Sequence, residues 1–283
     1  MTVSFFTLGC KVNQYETQYL AQCFAKEGYQ IVQGETAEVL VINSCTVTAM
    51  SDKKARQLLH RLRRKNPDSI LVLCGCFPQA FPQKAAGLDA DVITGNTNRK
   101  ELPALVAQAR QKKIIRHLPH PAGEGFEPMQ VGGLARHTRA FLKIQDGCDR
   151  YCTYCIIPTA RGHSRSKPIK DLEEEAFLLA EQGYREIVLT GIDLTSYGRE
   201  FGLSLSDAVA AASKPEGICR VRLGSLEPDE ITDSEIQALA ACSKLCPQFH
   251  LSLQSGCSAT LKRMGRRYDS AFYADLLKRL RAA

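Results

Sequence analysis

The 283-residue sequence has no apolar run near the roughly 20 residues a membrane-spanning helix requires, so a membrane span is not expected. Met1-Thr2-Val3-Ser4-Phe5-Phe6 carries no basic residue ahead of its apolar ones, so a secretory signal is not expected either. No internal repeat or low-complexity tract is present. The most telling absence is local. Cys148-Asp149-Arg150-Tyr151-Cys152-Thr153-Tyr154-Cys155 has three cysteines and no fourth, whereas segments that hold a cluster only for electron transfer supply four thiolates. Three thiolates fix three irons of a cubane and leave one iron open for chemistry. Disulfides fit poorly, because three is odd and the loop is too tight for well-formed bridges. Zinc would need a fourth ligand, which in principle His163 could supply, and plain core cysteines are the remaining reading.

The composition sets broad limits. A hydrophobic fraction of 44% allows a full core, and the length suits one large or two modest domains. With no export signal, twelve cysteines belong in a reducing cytoplasm, where such a count points to metal or redox work. The net charge is +7 and unevenly spread. Lys53-Lys54-Ala55-Arg56 with Arg61-Leu62-Arg63-Arg64-Lys65 forms one basic cluster, and Lys262-Arg263, Arg266-Arg267 and Lys278-Arg279 form another. Such clusters either track phosphates or are simply solvated helix faces.

Two α/β regions flank a different middle. Strands are expected at 3–8, 39–43, 70–73 and 91–94, with a weaker one at 30–32, and helices at 16–27, around Ala55, Leu58, Leu59 and Leu62, and at 99–111. This alternation predicts a doubly wound parallel-sheet domain over 1–115. Residues 116–137, rich in proline and glycine, read as a linker. From 138 the alternation resumes, with strands at 141–145, 186–190, 220–224 and 250–254 and helices at 171–182 and 233–241. The second helix carries a capping-box pattern, Thr232 with Glu235. Four strands make only part of a βα barrel, and the sequence ends inside a helical pattern at 270–283. The 138–283 domain is therefore expected to be incomplete, in a chain truncated at its C-terminus.

Cys10, Cys45 and Cys76 each follow an apolar strand by a residue or two. In a parallel sheet those positions share the edge where ligands bind, so three thiols far apart in sequence would converge there as a second metal or cluster site. Cys76 is preferred to Cys74 because Gly75 marks the turn that leaves Cys74 in the strand. Cys23, Cys219, Cys242, Cys246 and Cys257 are expected to be structural, Cys219 sharing a face with Val221 and Leu223.

With these residues assembled, the chain resembles the radical S-adenosylmethionine (SAM) methylthiotransferases, most nearly the branch acting on threonylcarbamoyladenosine in tRNA. The resemblance lies in Leu8-Gly9-Cys10-Lys11-Val12-Asn13-Gln14-Tyr15-Glu16, Asn43-Ser44-Cys45-Thr46-Val47-Thr48 and Gly75-Cys76. It continues through Ile156-Ile157-Pro158, Arg161-Gly162, Arg165-Ser166, Glu186-Ile187-Val188-Leu189-Thr190-Gly191-Ile192-Asp193 and Leu253-Gln254-Ser255-Gly256. It covers nearly the whole chain, while the family's later barrel strands and small RNA-binding β-barrel have no counterpart here. The branch assignment rests on the residues after Cys10. Branches acting on isopentenyladenosine tRNA or a ribosomal protein carry others.

The resemblance implies an α/β fold with a partial radical-SAM βα barrel and two [4Fe–4S] clusters. Cys148, Cys152 and Cys155 would hold the cluster that binds and cleaves SAM, and Cys10, Cys45 and Cys76 the one that supplies sulfur. The product would be a methylthio group on C2 of N6-threonylcarbamoyladenosine at position 37. tRNA and an electron donor would be partners. Position at strand ends makes Thr190, Gly191, Ser225, Glu227, Gln254 and Ser255 cofactor-binding candidates, against turn-forming or helix-capping roles. Arg161 and Arg165 either meet anionic groups or lie in a solvated loop. The rival functions are a non-catalytic iron–sulfur electron carrier, a zinc-stapled nucleic-acid-binding module and a radical enzyme inserting sulfur elsewhere.

Overall fold

The computed structural model describes residues 1–109, 113–120, 123, 125–132 and 138–283. The described residues divide into two compact units, 1–123 with 159–162, and 124–158 with 163–283. The ends of the expected 99–111 helix and 116–137 linker include positions outside the described residues.

In the first unit, β1 (Thr2–Thr7), α1 (Lys11–Lys26), β2 (Gln30–Ile31), β3 (Val39–Ser44), α2 (Ala49–Lys65) and β4 (Ile70–Gly75) follow in order. Next come α3 (Cys76–Ala80), α4 (Pro82–Ala86), β5 (Val92–Thr94), α5 (Leu102–Ala109) and β6 (Ile114–Arg116). The strands form one parallel sheet in the order β2-β1-β3-β4-β5-β6. Alternation along β3 sends Leu40 and Ile42 to a core with Leu58, Leu59 and Leu62 of α2 and Phe77 of α3. Val39 and Val41 go to the opposite core with Leu20 and Phe24 of α1 and Leu102 and Val106 of α5. Both faces are covered, which is why these strands read as continuous apolar runs.

Several expected bounds shift. α1 begins at Lys11, five residues early, because Cys10 takes the N-cap position and the polar residues after it hydrogen-bond inward. α2 likewise begins at Ala49, with the Thr48 hydroxyl accepting from the Ser51 amide. The strand β6 was not expected. It pairs with β5 from Ile114 to Arg116, so the sheet runs past residue 115.

The second unit holds β7 (Ala140–Lys143), β8 (Gln145–Asp146), α6 (Ile157–Arg161), β9 (Arg165–Ser166), α7 (Ile169–Glu181) and β10 (Glu186–Thr190). The last three residues of α6 group with the first unit. Then come α8 (Leu205–Ser213), β11 (Arg220–Leu223), β12 (Ser225–Leu226), α9 (Asp233–Ala240), β13 (His250–Leu251), α10 (Ser258–Arg263) and α11 (Ser270–Ala282). β7, β10 and β11 pair in parallel, and β12, continuing β11, pairs with β13. The expected strand at 141–145 is split. Its end turns away to pair antiparallel with β9, Gln145 opposite Ser166. One core joins Leu142, Ile187, Leu189, Val221 and Leu223 of the strands to Leu172, Ala176 and Leu179 of α7, Val209 of α8 and Leu276 of α11. This is the outer layer of a partial βα barrel.

Only half of the predicted capping box of α9 forms. Thr232 Oγ1 accepts from the Glu235 amide at 3.2 Å, but the Glu235 carboxylate accepts instead from Ser206, at 2.6 Å from its amide and 3.1 Å from its hydroxyl. Cys219 is exposed rather than in the core, and its sulfur lies 3.1 Å from Arg185 Nη2.

Candidate metal centres

In the first unit, the carboxyl edge of the sheet gathers three thiols. Cys10 follows β1, Cys45 follows β3 and Cys76 opens α3 after β4. β1 and β3 are neighbours although β2 lies between them in sequence, so this is the point where the chain reverses direction across the sheet and where such folds open a binding crevice. Two asparagines stitch the edge together. Asn13 Oδ1 lies 3.4 Å from both the amide and the sulfur of Cys10, and Asn13 Nδ2 donates to the Ser44 carbonyl at 3.3 Å. Asn43 Nδ2 donates to the Asn13 carbonyl and Thr17 Oγ1, each at 3.1 Å. Ser44 Oγ donates to the Cys74 carbonyl at 2.6 Å, tying the end of β3 to that of β4. Gly9 packs so tightly that a Cβ there would stand 2.8 Å from Cys45 Cβ.

Burial pushes the Cys76 thiol up to about 11. Arg161 opposes this, while Glu16, Cys45 and Cys10 add to it, so charge on either of the other two thiols is felt at Cys76. Cys74 is different. It lies in the core with Val72 and Val92, and burial raises its thiol to about 12. Beneath the edge, the fully buried Glu16 carboxylate accepts from Arg161, Nη1 at 2.8 Å and Nη2 at 3.1 Å, and from Arg99 Nη2 at 2.8 Å. Asn96 Nδ2 donates to the Ala160 carbonyl at 2.7 Å and approaches Cys76 Sγ at 3.9 Å.

In the second unit, Cys148, Cys152 and Cys155 lie on the loop after β8. Tyr151 has a left-handed φ of 48°, a conformation a bulky residue rarely adopts, and it turns the chain between the first two thiols. Burial raises Cys148 to about 12, with the Arg150 backbone opposing and Asp193 and Cys155 reinforcing. Burial also raises Cys155, with the Ile157 backbone opposing and Cys152 reinforcing. The loop rests on the turn after α10, where the Thr153 amide donates to the Met264 carbonyl and Thr153 Oγ1 to the Arg263 carbonyl, both at 3.1 Å.

Among the described residues, no group of three or more His, Cys, Asp or Glu side chains could hold a metal ion. A cubane makes a different demand, because each thiolate binds its own iron and the sulfurs need only surround a common core. Cys10, Cys45 and Cys76 share one sheet edge and Cys148, Cys152 and Cys155 one loop, and thiolates are the donors a cubane takes. Thiols raised by burial must release protons on taking up iron.

The strand-end candidates are held as follows. Thr190 is buried and its hydroxyl donates to the Leu142 carbonyl at 3.3 Å. A Cβ at Gly191 would stand 2.9 Å from Gln145 Oε1. That oxygen accepts from the Ile192 and Asp193 amides at 2.8 Å each, so the glycine makes room for a buried glutamine that anchors the strand end. Ser225 lies in β12 opposite His250. Gln254 is exposed with a left-handed φ of 63°, and Ser255 Oγ accepts from the Cys257 amide at 3.2 Å. Glu227 pairs with Arg266 and lies 3.9 Å from Arg150. Burial lifts its carboxyl to about 7 although both guanidiniums oppose the shift.

Arg161 and Arg165 are not in a solvated loop. Arg161 is 1% exposed on Glu16, and Arg165 donates to the His163 carbonyl at 3.0 Å. His163 is exposed and pairs with Asp149 at 2.7 Å. Two arginines went unrecognised in the sequence. The Arg150 guanidinium bonds Asp193 at 3.1 Å and Asp229 at 2.9 Å. Arg266, grouped above with a surface basic cluster, has a side chain only 2% exposed. Its neighbour Arg267 is exposed, so nothing in local spacing separates them. Much of the other basic cluster is also spoken for: Arg61 and Lys65 pair with Glu35, and Arg63 with Asp91.

Comparison with known proteins bears on the family and the fold. The model of uncharacterized protein family UPF0004 matches residues 2–95, and that of the radical SAM superfamily matches 142–283. The solved structure of the radical SAM methyltransferase TsrM from Kitasatospora setae superposes with a TM-score of 0.66 at 14% identity, over 99% of this chain and 65% of that one. The fold is thus that of radical SAM enzymes. The threonylcarbamoyladenosine tRNA methylthiotransferase MtaB of Bacillus subtilis (strain 168) is 39% identical over 100% of this chain and 64% of its own length. Its namesake in Aquifex aeolicus (strain VF5) is 37% identical over 98% of this chain and 68% of its own. The chain belongs to the radical SAM methylthiotransferase family, and it spans roughly two thirds of the length of these relatives. Among the described residues no helix is long and apolar enough to cross a membrane.

Proposed function

We propose that this chain forms the cluster-binding part of a cytoplasmic tRNA-modifying enzyme that places a methylthio group on C2 of N6-threonylcarbamoyladenosine at position 37. The observation that carries the proposal is the pairing of two three-thiol sets, one at the carboxyl edge of the first unit's parallel sheet and one on the loop after β8 of the second, in a chain whose relatives are named threonylcarbamoyladenosine tRNA methylthiotransferases. Cys148, Cys152 and Cys155 would hold one [4Fe–4S] cluster, and Cys10, Cys45 and Cys76 a second. Bound together with SAM and fed by an electron donor, these groups supply radical chemistry and the transferred sulfur.

The chain's own residues position and shield. Gln145 holds the amides of Ile192 and Asp193 to the strand that leads into the cluster loop, its Nε2 donating to the Gly147 carbonyl at 2.8 Å. The Asn13–Asn43 pair fixes Cys10 relative to β3 and so to Cys45. Thr190, Gly191, Ser225, Glu227, Gln254 and Ser255 remain the proposed surroundings of the cofactor. Glu227 acts there through Arg266, which occupies its carboxylate.

The test is mass spectrometry of tRNA nucleosides from a strain lacking the gene. Loss of the methylthio group from threonylcarbamoyladenosine, restored by the gene but not by its Cys148→Ala variant, is expected. Unchanged methylthio modification in the deletion strain refutes the substrate.

A further inference from the structure

The buried Arg266 guanidinium uses all three of its nitrogens. Nη1 lies 3.3 Å from Cys152 Sγ, Nε donates to Tyr268 Oη at 3.2 Å, and Nη2 bonds the Glu227 carboxylate. Tyr268 also lies under the guanidinium, 5.0 Å from ring centre to Cζ, and its hydroxyl donates to the Ser252 carbonyl, with the Leu253 carbonyl 3.1 Å away. The fork is therefore locked between an aromatic face, a carboxylate and a thiol. A guanidinium remains charged at any ordinary pH, and a lysine cannot reproduce its fixed fork. Hydrogen bonds to ligand sulfurs and nearby charge are main controls on a cluster's reduction potential.

We infer that Arg266, with Glu227 behind it, is a positioning residue that sets the reduction potential of the cluster held by Cys148, Cys152 and Cys155. The inference rests on the proposed reading of that loop. The Arg266 N–H draws electron density from the Cys152 sulfur and its charge favours the more negative, reduced cluster. The Glu227 carboxylate offsets part of that charge. The two residues therefore push the potential in opposite directions, a pattern that simple packing does not produce.

The experiment uses the full chain in a Cys10→Ala/Cys45→Ala/Cys76→Ala background, reconstituted anaerobically with iron and sulfide. A redox titration at pH 8 is followed by electron paramagnetic resonance. Arg266→Gln should lower the midpoint potential, Glu227→Gln should raise it, Arg266→Lys should fall between Arg266→Gln and the parent, and Arg267→Gln should match the parent. If Arg266→Gln loses its iron, Glu227→Gln and Arg266→Lys carry the test. Equal potentials in the parent and Glu227→Gln, or shifts of the same sign in Glu227→Gln and Arg266→Gln, overturn the inference. Absence of any cluster from the parent sinks the underlying reading with it, whereas a normal cluster with unmoved potentials sinks this inference alone.

Discussion

Replacing Gly95 by alanine should destabilise the first unit through one side chain, Gln79. A Cβ on Gly95 would stand 1.7 Å from Gln79 Oε1, so the glutamine has to leave. Its oxygen now accepts from the Asn96 amide at 3.0 Å, and its Nε2 donates to the Leu118 carbonyl at 2.9 Å. Asn96 is 2% exposed, so its amide would be left buried without a partner, a loss of about 1–3 kcal/mol. The second bond adds about 1 kcal/mol, for a total of roughly 2–4 kcal/mol. The backbone itself raises no objection, because Gly95 is not in the left-handed region. In a Gln79→Ala background the same Gly95→Ala change should therefore be neutral or stabilise by about 0.4–1 kcal/mol, through the unfolded chain. A double-mutant cycle measures this sign reversal. Because two units can unfold separately, hydrogen exchange at residues 92–98 of the full chain reports the right region better than a single melting temperature. Equal costs for Gly95→Ala with and without Gln79 would refute the reasoning.

Three further outcomes follow from the same geometry. Cys→Ala at any one of Cys10, Cys45, Cys76, Cys148, Cys152 or Cys155 should remove close to half of about eight irons per chain in anaerobic iron analysis, while Cys23→Ala should remove none. Leu142→Ala, at a fully buried position in the core of the second unit, should cost about 2–5 kcal/mol in chemical denaturation, against no more than about 0.5 kcal/mol for the exposed Phe177→Ala. Glu227 binds its proton more tightly in the folded, cluster-free chain, with a pKa raised from 4.5 to about 7. Its contribution to stability is thus greatest below 4.5 and is lost as pH rises to about 7. Glu227→Gln should flatten that part of the cluster-free stability profile, and an unchanged slope would count against the burial argument.

How much of the site was legible differs between the two units. The Cys148–Cys155 loop is contiguous, so spacing alone brings its thiols together, and the absent fourth cysteine is visible in the string. The first-unit trio required an inference about topology, that cysteines after successive apolar runs share one sheet edge, and β1, β3 and β4 do lie side by side. Elements bounded by strong apolar periodicity, such as β3 and β10, are legible in the sequence nearly to their ends. The short α3 and α4 and the sixth strand are not, since three to five residues carry too little pattern.

Sequence by itself determined the two α/β units and which cysteines stand at strand ends, because periodicity and spacing are local properties that any fold of this pattern must respect. Only tertiary structure decided what the charged residues do. Arg266 and Arg267 are adjacent and identical, yet one is sealed against Cys152 and Glu227 and the other faces solvent. Arg161 meets Glu16 across 145 residues. A charge goes inside only where a distant partner repays its desolvation, and the identity of that partner is not written in the neighbouring sequence.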